Sequence, residues 1–250
     1  MQYVAIGDSF TEGLGDELPD GSVRGWADLV AAGLATSRGE VVQYANLAVR
    51  GRLLEPIVTE QLDTALSLSP APTLLSLNGG GNDMMRPGTD LAGLVELTEQ
   101  AVRRCADARV QLVLLSGADP SGRLPFGRVV RRRGEVLTEA IADLASRYDL
   151  VFVDVFHDSE IHRAAYWSPD RLHLNTAGHQ RVAGQVLAAM GEATAANAVD
   201  PGPAERRRLL TEARYYREHV VPWLHRRVRG RSSGDGRTAK YPDWVPVEAA

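Results

Sequence analysis

The sequence predicts an α/β protein, a three-layer α/β/α sandwich around a parallel sheet. Three observations predict it. Short apolar runs alternate with longer segments that carry helical spacing of apolar residues. The short runs are nearly continuously apolar, as strands covered on both faces must be. Repeated β-α alternation at this spacing is the signature of a parallel sheet with helices on both sides.

The elements follow in order. The strand candidates are YVAIG (3–7), VVQYAN (41–46), TLLSLN (73–78), VQLVLLSG (110–117) and LVFVDV (150–155). Between them, 26–36, 53–66, 90–106 and 129–148 read as helices, and 175–190 makes a fifth, entered through an Asn or Thr cap. After residue 190 the pattern weakens, and Asp200-Pro201-Gly202-Pro203 reads as a linker or turn. Residues 204–228 read as a charged, aromatic helix broken at Pro222, and the remainder as an extended tail tied down by Tyr241 and Trp244. The division expected is a domain over 1–192 with a basic extension over 193–250 that does not fold by itself.

The 250 residues are 44% hydrophobic and 24% charged, a globular composition that can bury one substantial core. No apolar run reaches the roughly 18 residues that span a bilayer, so no membrane partner is expected. With a strand beginning at residue 2 or 3, no basic leader is expected either. Cys105 is the single cysteine, so a reducing, cytoplasmic location is expected. The net charge of −4 conceals an asymmetry: residues 203–240 carry 11 Lys and Arg against 4 Asp and Glu. The only lysine is Lys240. Aromatics among those basic residues would suit a nucleic-acid surface. The simpler expectation is that Tyr215, Tyr216, Trp223 and Leu224 dock the tail on the acidic body or pair two subunits as a homodimer.

In open parallel sheets ligands bind beyond the carboxyl ends of the strands, and the unusual residues sit in those loops. GDSFTEG (7–13) interrupts the first strand with a glycine, an acid and a hydroxyl. Gly7 and Gly13 let the chain turn there without a Cβ clash. NLAVRGR (46–52) places Gly51 beyond the second strand, where a ligand can approach a backbone N–H. LNGGGNDMMR (77–86) follows the third strand; it lacks the lysine of a phosphate loop but frames an amide side chain, Asn82. YWSPDRLHLNTAGH (166–179) holds Asp170 three residues before His173, a spacing at which a carboxylate can fix an imidazole's tautomer. The six histidines offer no convincing metal-ligand set beyond the pairs His157/His162 and His173/His179. Met84, Met85 and Trp167 are candidate walls of a substrate pocket, each with a competing place in the core. The arginine-rich loop 120–134 reads as a solvated, helix-leading segment in preference to a lid for an anionic substrate.

Each of these signals occurs often by chance, but their order does not. GDS near the N-terminus, the glycine after the second strand, G-x-N-D after the third and D-x-x-H before the last helix closely resemble the SGNH (GDSL-type) hydrolase family over residues 2–190. The resemblance implies a flavodoxin-like α/β/α fold with a five-stranded parallel sheet, and a serine hydrolase that needs no cofactor or metal. It implies Ser9 as nucleophile, His173 as general base and Asp170 as the residue that orients it. It also implies an oxyanion hole from the backbone N–H groups of Ser9 and Gly51 and the side-chain amide of Asn82. Asp8 and Asp83 are then braces, outside the triad. A small-molecule ester is the expected partner, with acyl transfer to another acceptor as the near alternative. A flavodoxin-like module binding a phosphate or flavin through Ser9 and Thr11 is the alternative from a different class; it leaves Asp170 and His173 without a role.

Overall fold

The structure is a computed structural model that describes residues 1–124, 127–192, 199–202 and 233–249. The helix expected over 204–228 therefore lies outside the described residues. Six strands form one sheet: β1 (Gln2–Ile6), β2 (Val42–Asn46), β3 (Leu74–Asn78), β4 (Gln111–Leu115), β5 (Val151–Val153) and β6 (Tyr241–Val247). Their order is β5-β4-β3-β1-β2-β6, with all neighbours parallel except β6, which pairs antiparallel with β2. The three-layer α/β/α sandwich is present. The five-stranded parallel sheet needs one correction, since the tail adds a sixth, antiparallel strand. YPDWVPV carries prolines at 242 and 246, which argue against a strand in a sheet interior but are tolerated at an edge. Tyr241 meets Tyr44 edge to face, and Trp244 Nε1 donates to the Pro70 carbonyl.

Strand side chains alternate between two separate cores. Tyr3 and Ala5 face one core, built with α2 (Trp26–Arg38) and α8 (Thr176–Ala189); Val4 and Ile6 face the other. That second core is completed by α6 (Leu91–Asp107), α7 (Gly127–Arg147) and the helical stretch 54–66. The stretch is not uniform: α3 (Leu54–Pro56) passes through one π-helical turn (Ile57–Gln61) into α4 (Leu62–Leu66). Two further short helices escape the sequence reading because each is a single turn, α1 (Ser9–Glu12) and α5 (Gly81–Met84).

Chain order positions the site. β2 lies on one side of β1 and β3 on the other, so the loops leaving β1 and β3 diverge from the point where the winding reverses. A crevice opens between such loops at the carboxyl edge of the sheet.

Candidate active site

The turn after β1 is set by packing. A Cβ on Gly7 would collide with Thr11 and the Asn78 carbonyl, so only glycine fits where the strand passes into α1. Gln61, buried and delivered by the π-helical turn, grips the same residue: Gly7 N–H donates to its Oε1 (2.8 Å), and its Nε2 donates to the Gly7 carbonyl (3.0 Å). Asp8 caps α1 by accepting from Phe10 N–H. Ser9 is thereby the first residue of a helix, where backbone N–H groups have no partner within the helix. Gly13, at φ 104°, ends the turn against the Arg24 carbonyl.

The histidine arrives from the opposite end of the chain. Trp167 and Leu174 form an isolated antiparallel bridge that closes the 168–173 turn, with the Trp167 indole donating to the Ile161 carbonyl. Inside the turn Asp170 accepts from Ser168 Oγ, Leu172 N–H and His173 N–H. Its other oxygen lies 2.5 Å from His173 Nδ1, and His173 Nε2 lies 3.0 Å from Ser9 Oγ. Burial pushes the Asp170 pKa up, but the hydrogen bonds and charge of His173 and the Ser168 hydroxyl outweigh it, and the carboxyl sits well below the usual carboxylate range. An ionised Asp170 keeps a proton on Nδ1, so the Nε2 lone pair faces the serine hydroxyl.

Asn82, Met84, Met85 and Trp167 line the same crevice, whereas Gly51 is not among the residues that line it. Gly51 follows Arg50 in a left-handed conformation at φ 75°. Asn82 lies on α5, and Gly80 enters that helix in the left-handed region. In this structure the Asn82 amide donates to Asp8 Oδ2 (2.9 Å) and to the Arg52 carbonyl (3.0 Å), so both its N–H groups are engaged. Asp83 accepts from Leu54 N–H. Desolvation raises the Asp8 pKa to about 6, against the lowering effect of the Phe10 N–H. A cavity of about 120 Å³ extends from Ser9 and His173 past Asn82, Met84, Met85 and Trp167 to Leu115, Leu137, Thr138 and Ile141. Arg128, Arg131 and Arg132 of the 120–134 segment are exposed, as the solvated, helix-leading reading expects, while Arg123 and Arg133 are half-buried. Arg133 donates to the Met84 and Arg86 carbonyls, and Arg123 stacks 4.6 Å over Trp167, so both brace the cavity wall.

The sequence reading missed Gln61, Glu12 and His179. Glu12 accepts from Arg50 N–H (2.6 Å) and pairs with the Arg50 guanidinium, joining the α1 turn to the residue before Gly51. His179 is buried, accepts from Trp26 N–H and donates to the Leu14 carbonyl. Burial pushes its pKa down to about 4, so it is neutral. No three His, Cys, Asp or Glu side chains cluster to hold a metal among the described residues. Nor is any helix among them long and apolar enough to cross a membrane.

An α/β/α sandwich whose carboxyl edge joins a serine, a histidine and an aspartate is the architecture of a serine hydrolase. Residues 5–181 match the family model of the GDSL-like lipase/acylhydrolase family, and the chain belongs to that family. Solved structures of similar fold include TesA (20% identity, TM-score 0.63, covering 76% of this chain and 98% of that one). The lipase Lip_vut3 from goat rumen metagenome aligns at 17% identity and a TM-score of 0.63, over 76% and 97% of the two chains. A catalytic mutant of Axe2, an acetylxylan esterase from Geobacillus stearothermophilus, aligns at 18% identity and a TM-score of 0.64, over 77% and 94%. Comparison with curated proteins gives no match.

Proposed function

We propose that the protein is a serine esterase that cleaves a small or medium carboxylic ester through an acyl-enzyme. The observation that carries this reading is the chain of contacts from Ser9 Oγ through His173 to Asp170 at the mouth of an apolar cavity. A serine hydroxyl is a weak nucleophile at neutral pH, so His173 Nε2 takes its proton as Oγ bonds to the ester carbonyl carbon. The carbonyl π electrons move onto oxygen, and the N–H groups of Ser9 and Gly51 donate hydrogen bonds to the resulting oxyanion. Asn82 becomes the third donor by turning one N–H from Asp8 or the Arg52 carbonyl towards that oxygen. Stabilisation aimed at charge present only in the transition state is what raises turnover.

Collapse of the intermediate breaks the bond to the alcohol, and His173 returns the proton to the departing oxygen. Water then attacks the acyl-serine by the same steps, releasing the acid and restoring Ser9. Met84, Met85 and Trp167 form the wall against which the acyl group lies. The cavity is small beside ligand pockets of roughly 300–1,000 Å³, which favours short acyl groups.

Hydrolysis of p-nitrophenyl acetate and butyrate by wild type and Ser9→Ala, with fluorophosphonate labelling of both, tests the reading. Turnover and labelling that vanish together in the variant support it. A wild type that neither turns over nor labels removes it.

A further inference from the structure

The family model ends at residue 181, yet the tail reaches back to the catalytic edge. β6 covers β2, and the segment leading into it touches both loops that would build the oxyanion hole. A Cβ on Gly234 would collide with the Arg50 carbonyl, so this buried glycine lies directly against the residue preceding Gly51. Six residues later, Lys240 is three-quarters or more enclosed. Its ammonium reaches Glu12 O (2.9 Å), Val23 O (3.0 Å), Arg24 O (2.6 Å) and Asp28 Oδ2 (2.7 Å). Glu12 is the last residue of the helical turn that begins at Ser9, and its carboxylate holds Arg50 N–H and the Arg50 guanidinium. The tail thus grips Glu12 from its carbonyl side and Arg50 from its carbonyl side, while Glu12 and Arg50 grip each other.

We propose that the 234–240 segment is a strap that positions the oxyanion hole, with Lys240 as its positioning residue acting through Glu12 and Arg50. The inference rests on the esterase reading above. A lysine suits the task because a compact ammonium can serve carbonyls from separate segments at once. Without it, three main-chain carbonyls and the partly buried Asp28 carboxylate lose their common donor, and the α1 turn is free to shift relative to Gly51. Displacements of about 1 Å at a catalytic constellation cost on the order of 10²-fold in rate.

The test uses full-length Lys240→Met, Gly234→Ala, Glu12→Gln and the double variant Lys240→Met/Glu12→Gln. For each, kcat and KM for p-nitrophenyl acetate are measured per active site titrated with fluorophosphonate, alongside the melting temperature. The expected result for Lys240→Met is a kcat per titrated site about 10- to 100-fold lower with KM little changed. Gly234→Ala should act in the same direction. The losses in Lys240→Met and Glu12→Gln should combine to less than their product, because both break one linkage. Unchanged kcat per titrated site, with only the melting temperature or the titratable fraction reduced, would make the strap purely structural and overturn the proposal. If Lys240→Met does not fold, Gly234→Ala decides on the same readout. An inactive wild type would instead remove the esterase reading, and this inference with it.

Discussion

Two aspartate-histidine pairs lie within twenty residues of each other and share one local design. In Asp154–His157 and in Asp170–His173 the carboxylate accepts the histidine backbone N–H through Oδ1 (3.1 and 3.0 Å). In each it meets Nδ1 of the ring through Oδ2 (2.7 and 2.5 Å). They differ in what surrounds them. The Asp154–His157 side chains are 39% and 44% exposed, whereas those of Asp170–His173 are 28% and 17% exposed, and only His173 Nε2 meets a serine hydroxyl. The D-x-x-H spacing builds a turn that holds an imidazole. Whether that imidazole can take a proton from a nucleophile depends on which loop it faces, and a turn closed by the Trp167–Leu174 bridge is aimed at Ser9.

The comparison breaks most easily at the histidines. Under the esterase reading His173→Asn should lower kcat by roughly 10⁴- to 10⁶-fold, and His157→Asn should leave it within about twofold, as exposed substitutions usually do. Comparable losses in both would mean that His157 also serves turnover, and the contrast would fail. The carboxylates sharpen it. Asp170→Asn keeps the shape but loses the charge that fixes the tautomer, so kcat should fall about 10⁴-fold, against little change for Asp154→Asn in the same ester assay. A smaller effect belongs to Asn82. With KM almost constant, Asn82→Ala should reduce kcat by about 10²–10³, and unaltered turnover would remove Asn82 from the oxyanion hole.

The smallest effect concerns a third histidine, His179, which is buried and does no proton transfer. Its folded-state pKa is depressed to about 4 by burial, below its ordinary value of 6.5. The stability it contributes is therefore complete above pH 6.5 and is lost as pH falls from there towards 4, because the unfolded chain takes the proton first. Asp8 has the opposite sign: its pKa, raised to about 6 from 3.8, lowers stability as pH rises through that window. Thermal melts between pH 7.5 and 5 should show a shallower acid loss in His179→Asn than in wild type. Equal slopes would mean that His179 is not the neutral, buried group that the hydrogen bonds to Trp26 and Leu14 describe.

Much of the sandwich was legible because its signals are local. Five of the strands follow from continuous apolar runs, and the cap of α8 follows from Asn175, which accepts from Gly178 N–H. The one-turn helices α1 and α5 were not legible, since four residues carry no period. The sixth strand was hidden by its prolines and by the absence of an apolar run; its partner, β2, lies about two hundred residues away in sequence. Among the site residues, the glycines of the first loop could be read from residue type, whereas Ser9, Asn82 and the D-x-x-H turn of Asp170 and His173 were legible only through the order of the four motifs. Gln61, Glu12 and Lys240 were not legible, because a glutamine on a helix, a glutamate near a turn and a lysine in a polar tail are ordinary at those positions.

The sequence by itself determined the alternation of strands and helices, the loops where glycine is required, and the residues able to carry ester chemistry. Those properties arise from side-chain volume, backbone freedom and proton affinity, which each residue brings to any fold. Only the tertiary structure decided that Asn82 shares its protons with Asp8 and Arg52, and that the tail returns to hold Glu12 and Arg50. These depend on where the crossovers of the sheet and the pairing of its last strand bring distant segments within hydrogen-bond reach, which local sequence does not encode.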